Sequence, residues 1–365
     1  MRQPLCPYFG TCAGCDTQHI EYELQLKNKV KSLGMLTGFQ HDKIGVFHGK
    51  EYNYRNRMDF IFQSGKLGLR AKGNKVMDIE ACPISGEKLN ELILETREFF
   101  YKIKSSGLNP NIFFYAVIRA PSMDSSISFV INESSMSKLK AVEMVKEFSK
   151  NSKAENVIAG FGRDNESTTS RFMVIKGSEF LKEKFLGKIF FFHSQGFFQN
   201  NSSVAEKMIE YTKSKLDSKK GHLLDLYGGV GIFGLSMSEL FEKVTIVESF
   251  PLSAKCADEN IRFNKIKNAN AVCIDAKNIN KLRFSEPLHV ITDPPRSGME
   301  HKALDKLIAL NPQTIIYISC NPLQFRKEFI KFSRHGYKIK SVALFDMFPQ
   351  TNHIEAVIEM EKLKL

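Results

Sequence analysis

The sequence predicts a mainly α/β protein. A doubly wound parallel sheet fills residues 194–365, an α+β region fills 43–193, and a cysteine-rich segment, 1–42, precedes both. Three observations carry this. After Ser194 short apolar runs alternate with helical stretches, the rhythm of a parallel sheet wrapped by helices. Before Ser194, strand-like and helix-like runs mix without that regularity. Three of the seven cysteines crowd the first 35 residues.

The elements follow in order. Cys6, Cys12 and Cys15 precede a helix-like segment, Glu21 to Leu33, with apolar residues at Leu24, Leu26, Val30 and Leu33. In the central region, runs from Arg57 to Phe62, Ser126 to Ile131 and Arg171 to Ile175 alternate as strands do. Glu87 to Tyr101 and Met136 to Lys150 carry the helical period. The C-terminal region opens with the apolar run His222 to Tyr227, enters Gly228-Gly229-Val230-Gly231, and continues helically to Phe241. Lys243 to Val247 is a strand ending at Glu248, and Ser253 to Phe263 a helix. Ala269 to Ile274, Leu288 to Thr292 and Thr314 to Ser319 are further strands. Ser341 to Phe345 and Ile354 to Met360 read as a closing antiparallel hairpin. With that addition the Rossmann-like sheet resembles S-adenosylmethionine-dependent methyltransferases.

Composition bounds the function. Apolar residues make up 42% and charged residues 25%, which excludes a disordered or collagen-like chain. No stretch approaches the ~20 apolar residues of a membrane span. The start, MRQPLCPYFG, lacks the apolar core of a signal peptide, so the expected location is the cytoplasm. Seven cysteines cannot all pair, and in a reducing compartment clustered thiols suggest metal binding or catalysis. The formal net charge is +12, and Lys27 to Lys75 alone holds 11 Lys/Arg against 3 Asp/Glu. Such a surface attracts polyphosphate, so nucleic acid is the expected partner.

Four segments of the C-terminal region carry chemistry. Leu224-Asp225-Leu226-Tyr227-Gly228-Gly229-Val230-Gly231 is a strand entering a glycine turn, with Glu248 about 20 residues on, where an acid accepts hydrogen bonds from a ribose. The turn alone fits a nicotinamide dinucleotide as well as S-adenosylmethionine. Asp225 tilts the choice, because an acid ahead of the glycines suits an ammonium group better than a pyrophosphate. Asp293-Pro294-Pro295-Arg296 follows an apolar strand, and its prolines make a rigid loop presenting Asp293 and Arg296. Ser319-Cys320-Asn321-Pro322 repeats that arrangement on the next strand, with Cys320 at the mouth of the sheet. Thr351-Asn352-His353-Ile354-Glu355 opens the last strand; its His353 suits packing or hydrogen bonding.

Together these segments resemble the RNA uracil-5 methyltransferases, which make 5-methyluridine in transfer and ribosomal RNA. The resemblance rests on FFQNN (197–201), DLYGGVGIFGL (225–235), DPPRSGM (293–299), SCNP (319–322) and DMFPQTNHIE (346–355). It implies a covalent mechanism with Cys320 as nucleophile toward uracil C6 and Glu355 as the acceptor of the C5 proton. It also implies S-adenosylmethionine bound through Gln199, Tyr227, Glu248 and Asp293. Asp275 is a further adenine-side candidate by position. Gly228 departs from the cysteine of many members, and Ile232 from an asparagine of some. The spacing of Cys6, Cys12, Cys15 and Cys82 resembles the four-iron, four-sulfur site of one branch, including the Gln18 and Tyr22 that follow. The cluster's implied role is structural or RNA-positioning. Cys256 and Cys273 are expected to be packing residues.

The partner implied is structured RNA, gripped by a monomer. Some members begin with an RNA-binding β-barrel. This chain begins near the cysteines, so the grip is expected from the central region, with Tyr54-Arg55-Asn56-Arg57 the local candidate. The short architecture with a cluster resembles the 23S ribosomal RNA enzymes most, with a transfer RNA T-loop uridine as the alternative. A nicotinamide-dependent reductase and a non-catalytic iron–sulfur RNA-binding protein are rivals. The first leaves the DPPR, SCN and terminal glutamate segments unexplained, and the second leaves Cys320 and Glu355 without a role.

Overall fold

The computed structural model describes residues 2–73, 75–163, 166–216 and 220–363. An eight-stranded sheet dominates. Its order is Gly45–Phe47, Tyr337–Phe345, Glu355–Lys362, Thr314–Ser319, Leu288–Thr292, His222–Leu226, Lys243–Glu248, Ala269–Cys273. The last five strands are parallel, and Glu355–Lys362 runs antiparallel between Thr314–Ser319 and Tyr337–Phe345. The central strands His222–Leu226, Leu288–Thr292 and Thr314–Ser319 are buried at every position, as strands covered on both faces must be. Helices Ser202–Leu216 and Pro251–Phe263 help form one apolar core; His301–Ala309 and Pro322–Arg334 help form another. The chain adds Lys243–Glu248 and Ala269–Cys273 on one side of His222–Leu226 and then Leu288–Thr292 on the other, and this switch in strand order opens a crevice at the strand C-termini.

The central region is a seven-stranded sheet from Val76–Met77 at one edge to Phe172–Lys176 at the other. Helix Glu87–Ser105 lays Leu89, Leu92, Ile93, Thr96, Phe99, Phe100 and Ile103 on it, the stripe its period implies. Phe60, Phe113 and Phe129 meet that stripe from the strands.

Four features depart from expectation. Gly45–Phe47 lies in the segment read as central, yet it pairs in parallel with Tyr337–Phe345, and Phe47 stacks on Phe345 at 4.7 Å. A three-residue strand shows no period. The hairpin Phe180–Phe185/Lys188–His193 forms its own two-stranded sheet. The helix after the glycine turn is only Ile232–Ser236, followed by a 3-10 turn at Ser238–Leu240. Asn268 donates to the Ser238 and Phe241 carbonyls, both at 2.8 Å, holding the chain off a helical path. Finally, helix Tyr22–Thr37 docks through polar residues. It buries Gln25, Lys29 and Leu33, on one face, and leaves Leu24 exposed.

Candidate active site

A cavity of about 920 Å³ lies at the strand C-termini of the large sheet, and Gln199, Tyr227, Glu248, Asp293, Cys320 and Glu355 all line it. Each but Gln199 is delivered by a strand end. Tyr227 follows His222–Leu226, Glu248 ends its strand, Asp293 and Cys320 follow theirs, and Glu355 opens the last one. Gln199 comes from the loop ahead of helix Ser202–Leu216.

The glycine turn is tightly made. Gly231, at φ 85°, needs the left-handed conformation that glycine takes without a Cβ clash, and its amide donates to the Gly228 carbonyl at 2.7 Å. The Glu248 carboxylate accepts from the Gly229 amide at 3.0 Å and the Phe250 amide at 2.7 Å. It is therefore held in place with lone pairs to spare for a ligand hydroxyl. A Cβ on Gly228 would lie 2.6 Å from Ile246 Cγ2 and 3.0 Å from Asp225 Cγ, so the cysteine common here in the family does not fit without movement. Asp225 does not face a ligand as expected. It is fully buried under the turn, where one carboxylate oxygen accepts from the Gly234 amide at 2.8 Å. Burial, helped by nearby Glu248, pushes its pKa up to about 7.

The far side of the cavity is acidic. Burial and then Asp225 push Asp293 up to about 7. Burial and then Asp293 raise Glu355 well above the carboxylate range. The Cys320 thiol is pushed up to about 11 by burial, then by Glu355 and Asp293, against a smaller opposing pull from its backbone and Arg296. A positively charged ligand would relieve all three.

Arg55, Arg296 and His353 also line the cavity. Asn321 donates to the Arg296 carbonyl at 3.0 Å, tying the SCN loop to the DPPR loop. In Tyr54-Arg55-Asn56-Arg57 most side chains join segments. Tyr54 donates to the Pro349 carbonyl at 3.0 Å, and Asn56 to the Gln199 carbonyl at 3.1 Å. Arg57 pairs with Asp59 through two bonds of 2.8 Å. Arg55 is the one that reaches the cavity. Asp275 lines an adjoining cavity with Tyr227 and caps the following turn through the Lys277 amide at 3.0 Å.

Sequence reasoning missed Arg119. Its buried guanidinium donates to the Gly196 carbonyl at 2.6 Å, bracing the loop that leads to Gln199. An arginine ending a strand gives no signal of that contact in one dimension.

Cys6, Cys12, Cys15 and Cys82 line a second cavity, about 600 Å³, which shares Ala13, Gly14, Arg55 and Asn200 with the first. All four are free thiols. Burial pushes Cys15 up to about 12, and the other three thiols add to that. Among the described residues no three His, Cys, Asp or Glu side chains gather as a metal-holding group, so the expected cluster is not shown here. Gln18 accepts from the Cys6 amide at 3.0 Å, whereas Tyr22 donates to Asp346 at 2.8 Å. Cys256 is buried as expected. Cys273 is not a packing residue: it is exposed on the outermost strand. Among the described residues no helix is long and apolar enough to cross a membrane.

Comparison with known proteins places this geometry. The family described as tRNA (uracil-5-)-methyltransferase matches residues 21–363. An uncharacterized RNA methyltransferase of Caldanaerobacter subterraneus is 31% identical over 98% of this chain and 84% of its own length. The tRNA (uracil(54)-C(5))-methyltransferase of Pyrococcus horikoshii is 30% identical over 97% of this chain and 85% of its own. The crystal structure of the Pyrococcus abyssi tRNA (uracil-54, C5)-methyltransferase with S-adenosyl-L-homocysteine superposes with a TM-score of 0.77, at 26% identity, over 96% of this chain and 86% of that one. The expected preference for 23S ribosomal RNA finds no support: the substrate named for the two Pyrococcus proteins is transfer RNA. The chain belongs to the tRNA (uracil-5-)-methyltransferase family and is an S-adenosylmethionine-dependent RNA uracil-C5 methyltransferase.

Proposed function

We propose that this enzyme forms 5-methyluridine in transfer RNA, at the T-loop uridine, position 54, named for its relatives. Cys320 is the nucleophile and Glu355 the proton acceptor. The observation that carries this reading is that Asp293, Cys320 and Glu355 stand at the ends of three adjacent strands and line one cavity.

Uracil C5 is a poor nucleophile. Addition of the Cys320 thiolate to C6 moves the ring's π pair onto O4 and makes C5 nucleophilic, so one hard step becomes several easier ones. S-adenosylmethionine, when bound, supplies the electrophilic methyl. Glu355 then removes the C5 proton, and the C6–S bond breaks to free Cys320. The cavity suits the cofactor in size, since small-molecule sites run from about 300 to 1,000 Å³. Glu248 would take the ribose hydroxyls, and Asp293, raised by burial and then by Asp225, gains from a cationic ligand. Gln199 and Tyr227 complete the wall. The target base must leave its stack, which costs least in a loop, and Arg55 and Arg296 at the cavity suit RNA phosphates.

The four N-terminal cysteines fit a four-iron, four-sulfur cluster in number and in convergence on one cavity. Burial raises the thiols of Cys6, Cys12 and Cys15, and the neighbouring Cys82 adds to all three. Metal charge would remove that conflict. In the bound state the cysteines would pin the loop Cys12–Cys15, whose Ala13 and Gly14 also line the catalytic cavity.

Mass-spectrometric mapping of 5-methyluridine in cells with and without the protein tests the substrate. The expected result is loss from the tRNA T-loop fragment with ribosomal RNA unchanged. The reverse pattern would replace this reading with a ribosomal one.

A further inference from the structure

We infer that Asp16 and Gln25 are positioning residues for Glu355, so that the N-terminal segment sets the rate at which the methylated adduct is resolved. This rests on the reading of Glu355 as the proton acceptor.

The loop entering Glu355 is held from outside the catalytic sheet. Gln350 is fully buried with φ at 68°, a left-handed conformation that a residue with a Cβ keeps only when its surroundings impose it. Those surroundings are the N-terminal segment. The Gln350 carbonyl accepts from the Asp16 amide at 3.1 Å and the Thr17 amide at 3.2 Å. Its amide donates to Gln25 Oε1 at 3.2 Å, and its Oε1 accepts from Gln25 Nε2 at 3.0 Å. Two residues on, the Asn352 amide donates to Asp16 Oδ1 at 2.9 Å. The base of the loop is tied by the same helix, because Lys29 pairs with Asp346 at 2.6 Å. Glu355 follows directly, in register with Phe345.

Such a tie matters at Glu355. The Glu355 carboxyl is buried in the cavity that Asp293 also lines, and a second acid offers it no attraction, so its position depends on the loop that carries it. Proton removal from C5 requires that distance. The C5–H bond breaks, the proton goes to the Glu355 carboxylate, its electron pair re-forms C5=C6, and the C6–S pair leaves on Cys320. Addition of the thiolate and methyl transfer, by contrast, do not use Glu355. Loosening the loop therefore slows resolution selectively.

Single-turnover methylation of T-loop RNA with methyl-labelled cofactor, quenched in denaturant, reads this directly. Asp16 is exposed, so Asp16→Ala should fold; loss of one hydrogen bond should lengthen the lifetime of the methylated Cys320–RNA adduct about fivefold. Asp16→Asn keeps the acceptor and should restore the wild-type lifetime. Gln25→Ala should lengthen it more, about tenfold or beyond. Affinity for S-adenosylmethionine should be unchanged throughout. Wild-type adduct decay in Asp16→Ala overturns the inference, as does slowed adduct formation with normal decay. If Gln25→Ala does not fold, Asp16→Ala decides alone. Glu355→Gln is the control: if its adduct also resolves at the wild-type rate, the base lies elsewhere and both readings fall.

Discussion

Cys320 lines one cavity and the four N-terminal cysteines another, the two sharing Ala13, Gly14, Arg55 and Asn200, and burial raises the thiols of Cys320, Cys6, Cys12 and Cys15. What differs is the company. Cys320 sits among carboxyls, Glu355 and Asp293, with Arg296 pulling the other way. The N-terminal thiols sit among one another. A lone thiol beside acids rests protonated and ionises when cationic ligand and electrophile arrive. Four thiols lining one cavity have no such occasion, and only a bound metal charge would keep them ionised together. On the function proposed above, the same residue type serves transient covalent chemistry in one cavity and suits lasting coordination in the other.

The largest effect that could break this contrast is at Cys320, the proposed nucleophile. Cys320→Ala should cost on the order of 10⁴-fold or more in methylation and abolish any protein–RNA adduct, read by denaturing electrophoresis. Glu355→Gln should instead accumulate a methylated adduct. An active Cys320→Ala enzyme would leave the contrast without its first half.

The second half is tested by metal. Anaerobically purified protein should be brown and carry iron and sulfide, and Cys15→Ser should lose both. Stoichiometric zinc without iron would assign the cysteines to another ion.

A smaller effect concerns the glycine-turn side of the cavity. Glu248→Ala should weaken S-adenosylmethionine binding by about 1.5–3 kcal/mol, as for a hydrogen bond to a charged group, measured by calorimetry. Unchanged affinity would move the ribose contact elsewhere.

The smallest is a pH effect on stability. The folded pKa of Asp293, about 7, lies above its ordinary value, so the folded state holds the proton more tightly. Stability from this group is present at low pH and is lost as pH rises from about 4 to about 7. The cofactor-free enzyme should melt about 1–2 °C lower near pH 8 than near pH 6. Asp293→Asn should flatten that dependence while weakening cofactor binding. A melting curve insensitive to this substitution would remove Asp293 from the charge balance around Cys320.

Sequence by itself determined the alternation after Ser194, and with it the parallel sheet, because fully buried strands and amphipathic helices each leave a local period. It also determined which residues reach the crevice. A residue just past a parallel strand must emerge at the sheet's C-terminal edge, so Tyr227, Asp293 and Cys320 were legible from their strands, and Glu248 from its spacing to the glycines. Tertiary structure decided what has no local signature. Asp225 precedes the glycines as a ligand-facing acid would, yet the Gly234 amide turns it into a buried support. Leu24 looks like a core residue on its helix, yet Gln25 and Lys29 are buried because their partners, Gln350 and Asp346, lie more than 300 positions away. Hydrogen-bonding partners so distant leave no period, and only the folded chain brings the N-terminal segment onto the loop that carries Glu355.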